Sequence, residues 1–337
     1  MTPWLKEHLA CPRHRLELTL EGDHLICPDR DRYLVVDGVP VLLFDDGRPA
    51  HGHIKRTLEQ VSRIENGESV SAVIPQYLAN DYGVDEFVQQ QLHLTCGNLY
   101  FAVQKNLARY PFPDLRLPTG NGRRLLDIGC SWGRWTIPAA KRGFRAVGID
   151  PHLDGVLAAK RIAAQNGVDA DFVVGDAVYL PFLDDTFEMV FSSGVLQHLA
   201  KSTVTRILAD ISRVARDQGK ILIQMPNTYG LRSLYMQAKR SFKTPSETNA
   251  DVSYWTPNEL RRKFNFHFGR TTFTADCFFG LNLRSSDVDL MPLSHKMAIY
   301  ASEIARKACD VLPPVRNFAD SLLVESINEK DSLDKRN

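Results

Sequence analysis

Residues 125–135 constrain the fold of this chain more than any other stretch. They begin with two leucines that suit a buried strand, and they turn through Gly129 and Gly133 into a helix start at Thr136. Glycine at such a turn lets a ligand lie against the backbone, because glycine has no Cβ and tolerates positive φ. The helix that follows directs its free N–H groups and its positive dipole end at the same place. The stretch therefore predicts a strand, a ligand-binding turn and a helix in succession.

Further apolar segments follow the turn, and helical segments alternate with them. This alternation predicts a parallel sheet with right-handed crossovers and a ligand site at the carboxyl ends of the strands. In doubly wound folds an acidic residue at the end of the second strand binds ribose hydroxyls, and Asp150 holds that place here. The later strands are predicted within residues 145–151, 172–182, 187–191, 218–227, 270–283 and 321–327, and helices at residues 153–166 and 202–216.

The spacing of the turn separates it from other phosphate-binding and nucleotide-binding motifs. Residues 127–133 read D-x-G-x-S-x-G, which is neither the dinucleotide fingerprint G-x-G-x-x-G nor a P-loop. The spacing resembles motif I of the class I S-adenosylmethionine (SAM) methyltransferases, D/E-x-G-x-G-x-G, with Ser131 in place of the middle glycine. The resemblance implies an α/β fold with a Rossmann-like, doubly wound, seven-stranded sheet and helices on both faces.

The same resemblance implies a cofactor and the residues that hold it. The cofactor is S-adenosyl-L-methionine, and the product is S-adenosyl-L-homocysteine. Asp176 is expected beside the adenine amino group, with Ala177 as a backbone partner. The implied cofactor-binding residues are Asp127, Gly129, Cys130, Ser131, Gly133, Asp150, Pro151, Asp176, Ala177 and Ser192.

His198 is the candidate catalytic residue. Methyl transfer from a sulfonium is an in-line displacement, so the protein mainly supplies orientation and a water-poor pocket. A base is needed only where the attacking atom carries a proton that must leave. His198 follows the fourth strand, where acceptor and methyl group should meet, and an imidazole titrates in the range that suits a general base. Two other roles for His198 remain open: capping a helix, and packing against the methionine end of the cofactor.

Residues 1–45 are predicted to form a small, separate β-rich unit. Alternating apolar residues within 16–27 predict a hairpin around a Glu-Gly-Asp turn. Cys11-Pro-Arg-His14 and Cys27-Pro-Asp-Arg30 stand where a zinc ribbon carries two C-x-x-C knuckles. The stretch resembles the small zinc-ribbon proteins that activate tRNA and translation-factor methyltransferases.

The resemblance implies a metal site, but this sequence departs from the usual ligands. Cys11, His14 and Cys27 are good zinc ligands, whereas Arg30 stands in the fourth position and does not bind zinc. We therefore expect a metal-free ribbon held by its own small core. An alternative stays open, in which an aspartate next to Arg30 is the fourth ligand. The two aspartates concerned are Asp29 and Asp31.

Composition weighs against several classes of protein. The chain has 41 Lys and Arg against 40 Asp and Glu, so its net charge of +1 gives no overall attraction to nucleic acid. No apolar run approaches the roughly 20 residues that span a bilayer, and the first residues lack the apolar core of a secretion signal. Six cysteines without framework spacing suit a reducing compartment. We expect a cytoplasmic protein.

The pattern of apolar, polar and charged residues divides the rest of the chain into predicted segments. Residues 46–118 are predicted as a linker and helical lid, with a helix near residues 54–64; the lid covers the ligand site or merely the sheet edge. Residues 119–327 are the methyltransferase-like domain, and residues 328–337 a frayed tail. An insertion at residues 229–270 has eight basic against three acidic residues and interleaved aromatic residues. It favours an anionic acceptor, or else it is a solvated helix face.

These observations favour methyl transfer from SAM to a small or sugar-linked metabolite, on oxygen or nitrogen. One alternative is a base methyltransferase of ribosomal or transfer RNA, against which the near-zero net charge weighs. Another is a non-catalytic SAM-binding scaffold that docks a partner through the ribbon. The sequence predicts neither the acceptor nor the oligomeric state.

Overall fold

A computed structural model of the protein describes residues 1–47, 52–104, 107–242, 252–280, 282 and 284–330. Within these residues 11 strands form a sheet. The strands are β1 (Thr19–Glu21), β2 (His24–Ile26), β3 (Arg32–Val36), β4 (Val39–Leu42), β5 (Arg124–Ile128), β6 (Arg145–Asp150), β7 (Asp171–Gly175), β8 (Phe187–Ser192), β9 (Ala215–Pro226), β10 (Thr271–Cys277) and β11 (Ser321–Ile327). Their order across the sheet is β1-β2-β3-β4-β7-β6-β5-β8-β9-β11-β10.

The seven strands from β5 to β11 form the predicted doubly wound sheet. The strands β7, β6, β5, β8 and β9 run parallel, and β11 is inserted antiparallel between β9 and β10. From β5 the chain builds outward to β6 and β7 on one side and to β8 and β9 on the other. The strand order therefore reverses at β5, and ligands bind at the carboxyl ends of such strands.

Helices pack on both faces of this sheet, as the alternation of apolar residues along β5 requires. Leu126 packs in one core with α7 (Lys201–Val214) and α9 (Pro257–His267), whereas Leu125 packs in another with α5 (Thr136–Lys141). Helix α9 starts with the expected capping box of Thr256 and Glu259. The helices are α1 (Pro3–His8), α2 (Gly52–Glu65), α3 (Val70–Val73), α4 (Glu86–Cys96), α5 (Thr136–Lys141), α6 (Leu153–Gln165), α7 (Lys201–Val214), α8 (Leu231–Lys239), α9 (Pro257–His267) and α10 (Leu293–Val311).

The expectation of a seven-stranded sheet beside a separate ribbon is corrected by the pairing of β4. This strand lies parallel to β7, with Val41 opposite Val174 and Leu42 opposite Gly175. The four strands of residues 1–45 thereby extend the main sheet to 11 strands. Without β4, strand β7 would be an open edge with unpaired backbone groups, which proteins tend to cover.

Two other boundaries differ from the prediction. Helix α2 covers the predicted helix at residues 54–64 and also contacts the sheet, so this part of the expected linker is packed structure. The expected frayed tail does not begin at residue 328, because Asn328 is fully buried and its amide donates to the carbonyl of Ala215 at 3.0 Å. Residues 331–337 lie outside the described part of the chain. Among the described helices, none has the length and apolarity that crossing a membrane demands.

Candidate functional site

The turn after β5 is locked to the neighbouring strand by its backbone. The N–H groups of Gly129 and Cys130 both donate to the carbonyl of Ile149, at 2.8 and 3.0 Å. Gly129 has φ +79°, and a Cβ there would lie 2.1 Å from Cγ2 of Val195. Ser131 also adopts a left-handed conformation, with φ 45°. The middle position of the motif thus keeps the backbone that glycine favours, although serine occupies it.

Asp127 is a buried carboxylate directly below this turn. Asp127 is only 1% exposed, and one of its carboxylate oxygens accepts a hydrogen bond from Thr136 Oγ1 at 2.6 Å. The other oxygen, Oδ1, is buried and has no hydrogen-bond partner among the described residues. Burial, which outweighs the hydroxyl of Thr136, raises the pKa of Asp127 to about 7. The free oxygen calls for a donor, and an ammonium group of a bound ligand would be a suitable one.

Asp150 lies at the end of β6, next to the turn. One carboxylate oxygen accepts from Ser131 N–H at 3.0 Å, and the other from His152 N–H at 2.9 Å. These two bonds fix the carboxylate at the end of β6. The carbonyl of Pro151 accepts from Thr57 Oγ1 of α2 at 2.7 Å. Helix α2 is therefore anchored beside the position expected for the ribose.

Asp176 completes a row of three acidic residues at neighbouring strand ends. It follows β7, and its Oδ1 accepts from Val178 N–H at 2.9 Å. Ala177, beside it, is partly buried. The carboxylates of Asp127, Asp150 and Asp176 thus stand at the ends of β5, β6 and β7. A row of acceptors suits a ligand that presents an ammonium group, hydroxyls and an amino group in that order.

Ser192 has a different environment from the other expected cofactor residues. Its hydroxyl is buried and donates to the carbonyl of Ile128 at 2.9 Å, so it ties β8 to β5. A contact of Ser192 with the cofactor stays a prediction. The next residue, Ser193, has a buried hydroxyl without a hydrogen-bond partner among the described residues and opens into a cleft.

This cleft is the site feature that the sequence did not indicate. It is a narrow, partly open cleft beside the start of α5. Apolar side chains form most of its wall, and charged side chains lie at one end. The lining residues are Asp114, Leu115, Arg116, Leu117, Trp135, Phe191, Ser193, Leu222, Asp276, Arg284 and Leu323. They come from segments far apart in the chain, so no local motif marks them.

The charged end of the cleft is built on Asp276. Arg284 donates to both of its carboxylate oxygens, at 2.6 and 3.2 Å, while the guanidinium of Arg116 lies 3.6 Å away. Burial opposes ionisation of Asp276, but the two guanidinium groups hold its pKa below the usual value. The guanidinium carbon of Arg284 lies 4.9 Å from the ring centroid of Trp135. The pair therefore fixes the indole that forms the cleft wall.

A second buried ion pair, between Arg134 and Asp287, holds other segments against the turn after β5. Arg134, directly before Trp135, donates to Asp287 Oδ2 and to the hydroxyl of Tyr100, each at 3.0 Å. Trp132 Nε1 donates to Thr95 Oγ1 of α4 at 3.1 Å. Through these contacts the turn holds α4, the 3₁₀ turn that follows it and the segment after β10. The predicted lid thus contacts the motif itself.

His198 lies in a 3₁₀ turn (Leu196–His198) after β8 and is exposed. Its Nε2 is 3.1 Å from Nε2 of Gln197, and it is not among the residues that line the cleft. Its role as a base stays a prediction.

The insertion contributes α8 and α9 to the described structure, while residues 243–251 lie outside it. The guanidinium of Arg261 lies 5.2 Å from the ring centroid of Phe273, so this cation packs on the sheet. Recognition of an anionic acceptor by the insertion also stays a prediction.

Comparisons with known proteins find relatives of the segment that holds these strand ends. Residues 125–219, which run from β5 into β9, match a family model described as a methyltransferase domain. The ubiquinone biosynthesis O-methyltransferase of Azorhizobium caulinodans is 28% identical over 141 residues, 42% of this chain and 51% of the relative. The demethylmenaquinone methyltransferase of Renibacterium salmoninarum is 30% identical over 137 residues, 37% of this chain and 55% of the relative. This chain thus spans about half the length of these curated relatives.

Among solved structures, one similar chain is a SAM-dependent methyltransferase from Thermotoga maritima, described as a possible histamine N-methyltransferase. The similarity has a TM-score of 0.46 at 13% identity and covers 72% of this chain and 98% of the other.

Proposed function

We propose that this chain transfers a methyl group from SAM to a small acceptor that binds in the cleft beside Trp135. The observation that carries the proposal is the row of carboxylates at the ends of β5, β6 and β7, within the segment that matches a methyltransferase domain. When bound, SAM supplies an electrophilic methyl group on its sulfonium. The residues of this chain bind SAM, orient the acceptor and shield the reacting region from water.

Each carboxylate of the row fits one part of the cofactor. The free Oδ1 of Asp127 fits the ammonium group of the methionine portion. Asp150, held by two backbone N–H groups, fits the two ribose hydroxyls. Asp176 fits the adenine amino group. The N–H groups that hold Asp150 also keep its geometry fixed before the ligand arrives, which lowers the entropy cost of binding.

The cleft supports a small acceptor. Its wall is mostly apolar with a few polar groups at one end, which is the lining that small-molecule sites usually have. Relatives of this segment are named for methylation in ubiquinone biosynthesis and for N-methylation of ajmaline, which are small-molecule reactions. We include O- and N-methylation, with a small or sugar-linked acceptor, in the proposal.

Positioning supplies most of the catalysis in this proposal. Trp135, fixed by Arg284, orients the acceptor, and the buried contacts of Arg134 keep water out of the reacting region. Well-oriented reactants gain roughly 7–11 kcal/mol of barrier lowering from position alone. His198 does not line this cleft, so it can act as the base only for an acceptor that extends from the cleft to the 3₁₀ turn after β8.

The experiment is calorimetric titration of the full chain with S-adenosylhomocysteine. We expect Asp150→Ala to weaken binding, because each lost charge-assisted hydrogen bond costs about 1.5–3 kcal/mol, which corresponds to about tenfold or more in affinity. Asp169→Ala is the matched control, since it removes an exposed carboxylate before β7. Equal affinities of wild type and Asp150→Ala would contradict the ribose assignment, and absence of binding to wild type would contradict the function.

A further inference from the structure

Three metal-binding side chains converge in the ribbon (residues 1–45). Ligand atoms of Cys11, His14 and Cys27 all lie within 4.8 Å of one another. Nδ1 of His14 is 3.6 Å from Sγ of Cys11 and 3.6 Å from Sγ of Cys27. Both cysteines are buried, and no disulfide joins them. Two thiols and an imidazole at one point form a typical zinc-binding set.

The carboxylate of Asp31 stands beside two of these three side chains. Oδ2 of Asp31 is 3.3 Å from Nδ1 of His14 and 3.7 Å from Sγ of Cys11. Zinc bonds of roughly 2.3 Å to sulfur and roughly 2.0–2.1 Å to nitrogen and oxygen give a tetrahedron with edges of roughly 3.5 Å from sulfur to nitrogen or oxygen, and roughly 3.3 Å from nitrogen to oxygen. These four of the six separations agree with the edges to within about 0.2 Å. Asp31 is outside the set of ligand atoms that all lie within 4.8 Å of one another, so its carboxylate must turn toward Cys27 to close the tetrahedron. We propose that Cys11, His14, Cys27 and Asp31 form a tetrahedral zinc site.

The backbone explains why Asp31 replaces the residue at the expected fourth position. Arg30 adopts a left-handed conformation with φ 71°, and its N–H donates to the carbonyl of Cys27 at 2.8 Å. This tight turn carries the chain back, so that the N–H of Cys27 donates to the carbonyl of Asp31 at 2.9 Å. In the first knuckle the left-handed residue, Arg15 with φ 59°, follows the ligand. In the second knuckle it precedes the ligand, which shifts the ligand position by one residue.

Two further contacts favour Asp31 over Asp29. The hydroxyl of Tyr33, a buried residue, lies 3.4 Å from Oδ2 of Asp31 and 3.2 Å from Sγ of Cys11. Partners of this kind orient metal ligands. The side chain of Asp29 is 58% exposed and that of Asp31 only 27%. The open alternative with an aspartate as fourth ligand is thus the one that the geometry supports, in place of the metal-free ribbon.

The test is metal analysis of the full chain, purified from zinc-supplemented cells and dialysed without chelator. We expect one zinc per chain. Replacement by Co²⁺ should give the visible bands of a tetrahedral site and thiolate-to-metal charge transfer, both lost in Cys27→Ser. Asp31→Asn should weaken zinc binding in a chelator competition by at least about tenfold, the lower end of what even a lost outer-shell partner costs. Asp29→Asn is the matched control and should bind zinc like wild type.

A further variant keeps the assignment testable if Asp31→Asn folds poorly. Asp31→Cys should retain the metal and raise the thiolate-to-cobalt charge-transfer intensity, because three thiolates would replace two. Absence of stoichiometric zinc in wild type overturns the site. Unchanged charge transfer in Asp31→Cys, an affinity of Asp31→Asn equal to wild type, or an equal loss in Asp29→Asn overturns the role of Asp31.

Discussion

We expect the buried carboxylate of Asp127 to make cofactor binding depend on pH. In the free protein, burial raises its pKa to about 7, although the hydroxyl of Thr136 donates to it. An ammonium group placed against Oδ1 would favour the ionised form and return the pKa toward its ordinary value of about 4. Binding below pH 7 therefore requires Asp127 to release a proton.

The size of the effect follows from the two pKa values. Between a free-state pKa of about 7 and a bound-state pKa of about 4, affinity falls by about tenfold for each unit of pH below 7, or about 1.4 kcal/mol. We expect S-adenosylhomocysteine to bind about tenfold more weakly at pH 6 than on the plateau above pH 7. At pH 6 nearly one proton should leave the protein for each ligand bound.

The raised pKa of Asp127 also predicts how the stability of the ligand-free protein changes with pH. Because the folded-state pKa of Asp127 lies above its unfolded value, the protonated carboxyl stabilises the free protein. This contribution is complete below about pH 4 and is lost as the pH rises through about 7. The unfolding temperature of the ligand-free protein should therefore fall between pH 5 and pH 8 relative to that of Asp127→Asn.

Calorimetry in two buffers of different ionisation enthalpy measures both affinity and proton release. Asp127→Asn is the control, because it removes the titrating group and leaves the titration of the ligand unchanged. Wild-type affinity that stays flat from pH 5.5 to 7.5, without proton release, would refute the placement of the ammonium group at Asp127. A pH dependence of equal size in Asp127→Asn would assign the proton to another group.

Three other predictions follow from single contacts. Gly129→Ala should abolish S-adenosylhomocysteine binding, because the new Cβ would clash with Val195 2.1 Å away at a φ of +79°; calorimetry with unchanged affinity would show that the turn adapts. Asp287→Asn should lower the free energy of unfolding by about 3–5 kcal/mol, since it leaves Arg134 buried without its counter-ion; denaturant titration checks this, and a change under about 1 kcal/mol, the scale of an exposed pair, would contradict it. If His198 is the base, His198→Ala should lower kcat by about a hundredfold or more; a near-normal kcat would leave positioning as the mechanism.

The strand ends could be predicted because their signals are local. A short apolar run followed by a small or acidic residue marks the end of a buried strand, and the parallel topology then collects these ends at one edge. Asp127, Asp150 and Asp176 were found in this way, and they lie at the ends of β5, β6 and β7.

The cleft could not be predicted, because its wall is made by tertiary contacts. Asp276 and Arg284 are eight residues apart in the sequence, and no periodic pattern pairs them. The extension of the sheet did carry a signal. Residues 39–42 read Val-Pro-Val-Leu and are buried throughout, and a continuous apolar run is typical of a strand covered on both faces in a parallel sheet.

The carboxyl ends of β5, β6 and β7, where we propose that the cofactor binds, are contacted by segments outside the matched residues 125–219. Thr57 of α2 holds the carbonyl of Pro151 at the end of β6, and Thr95 of α4 holds the indole of Trp132 in the turn after β5. Strand β4 pairs with β7 up to Gly175, the residue before Asp176. Each of the three cofactor strands is thus contacted at its carboxyl end by a segment that precedes residue 125. Since fixed acceptors bind a ligand at lower entropy cost than mobile ones, removal of the first hundred residues would weaken cofactor binding even though no carboxylate of the row is lost.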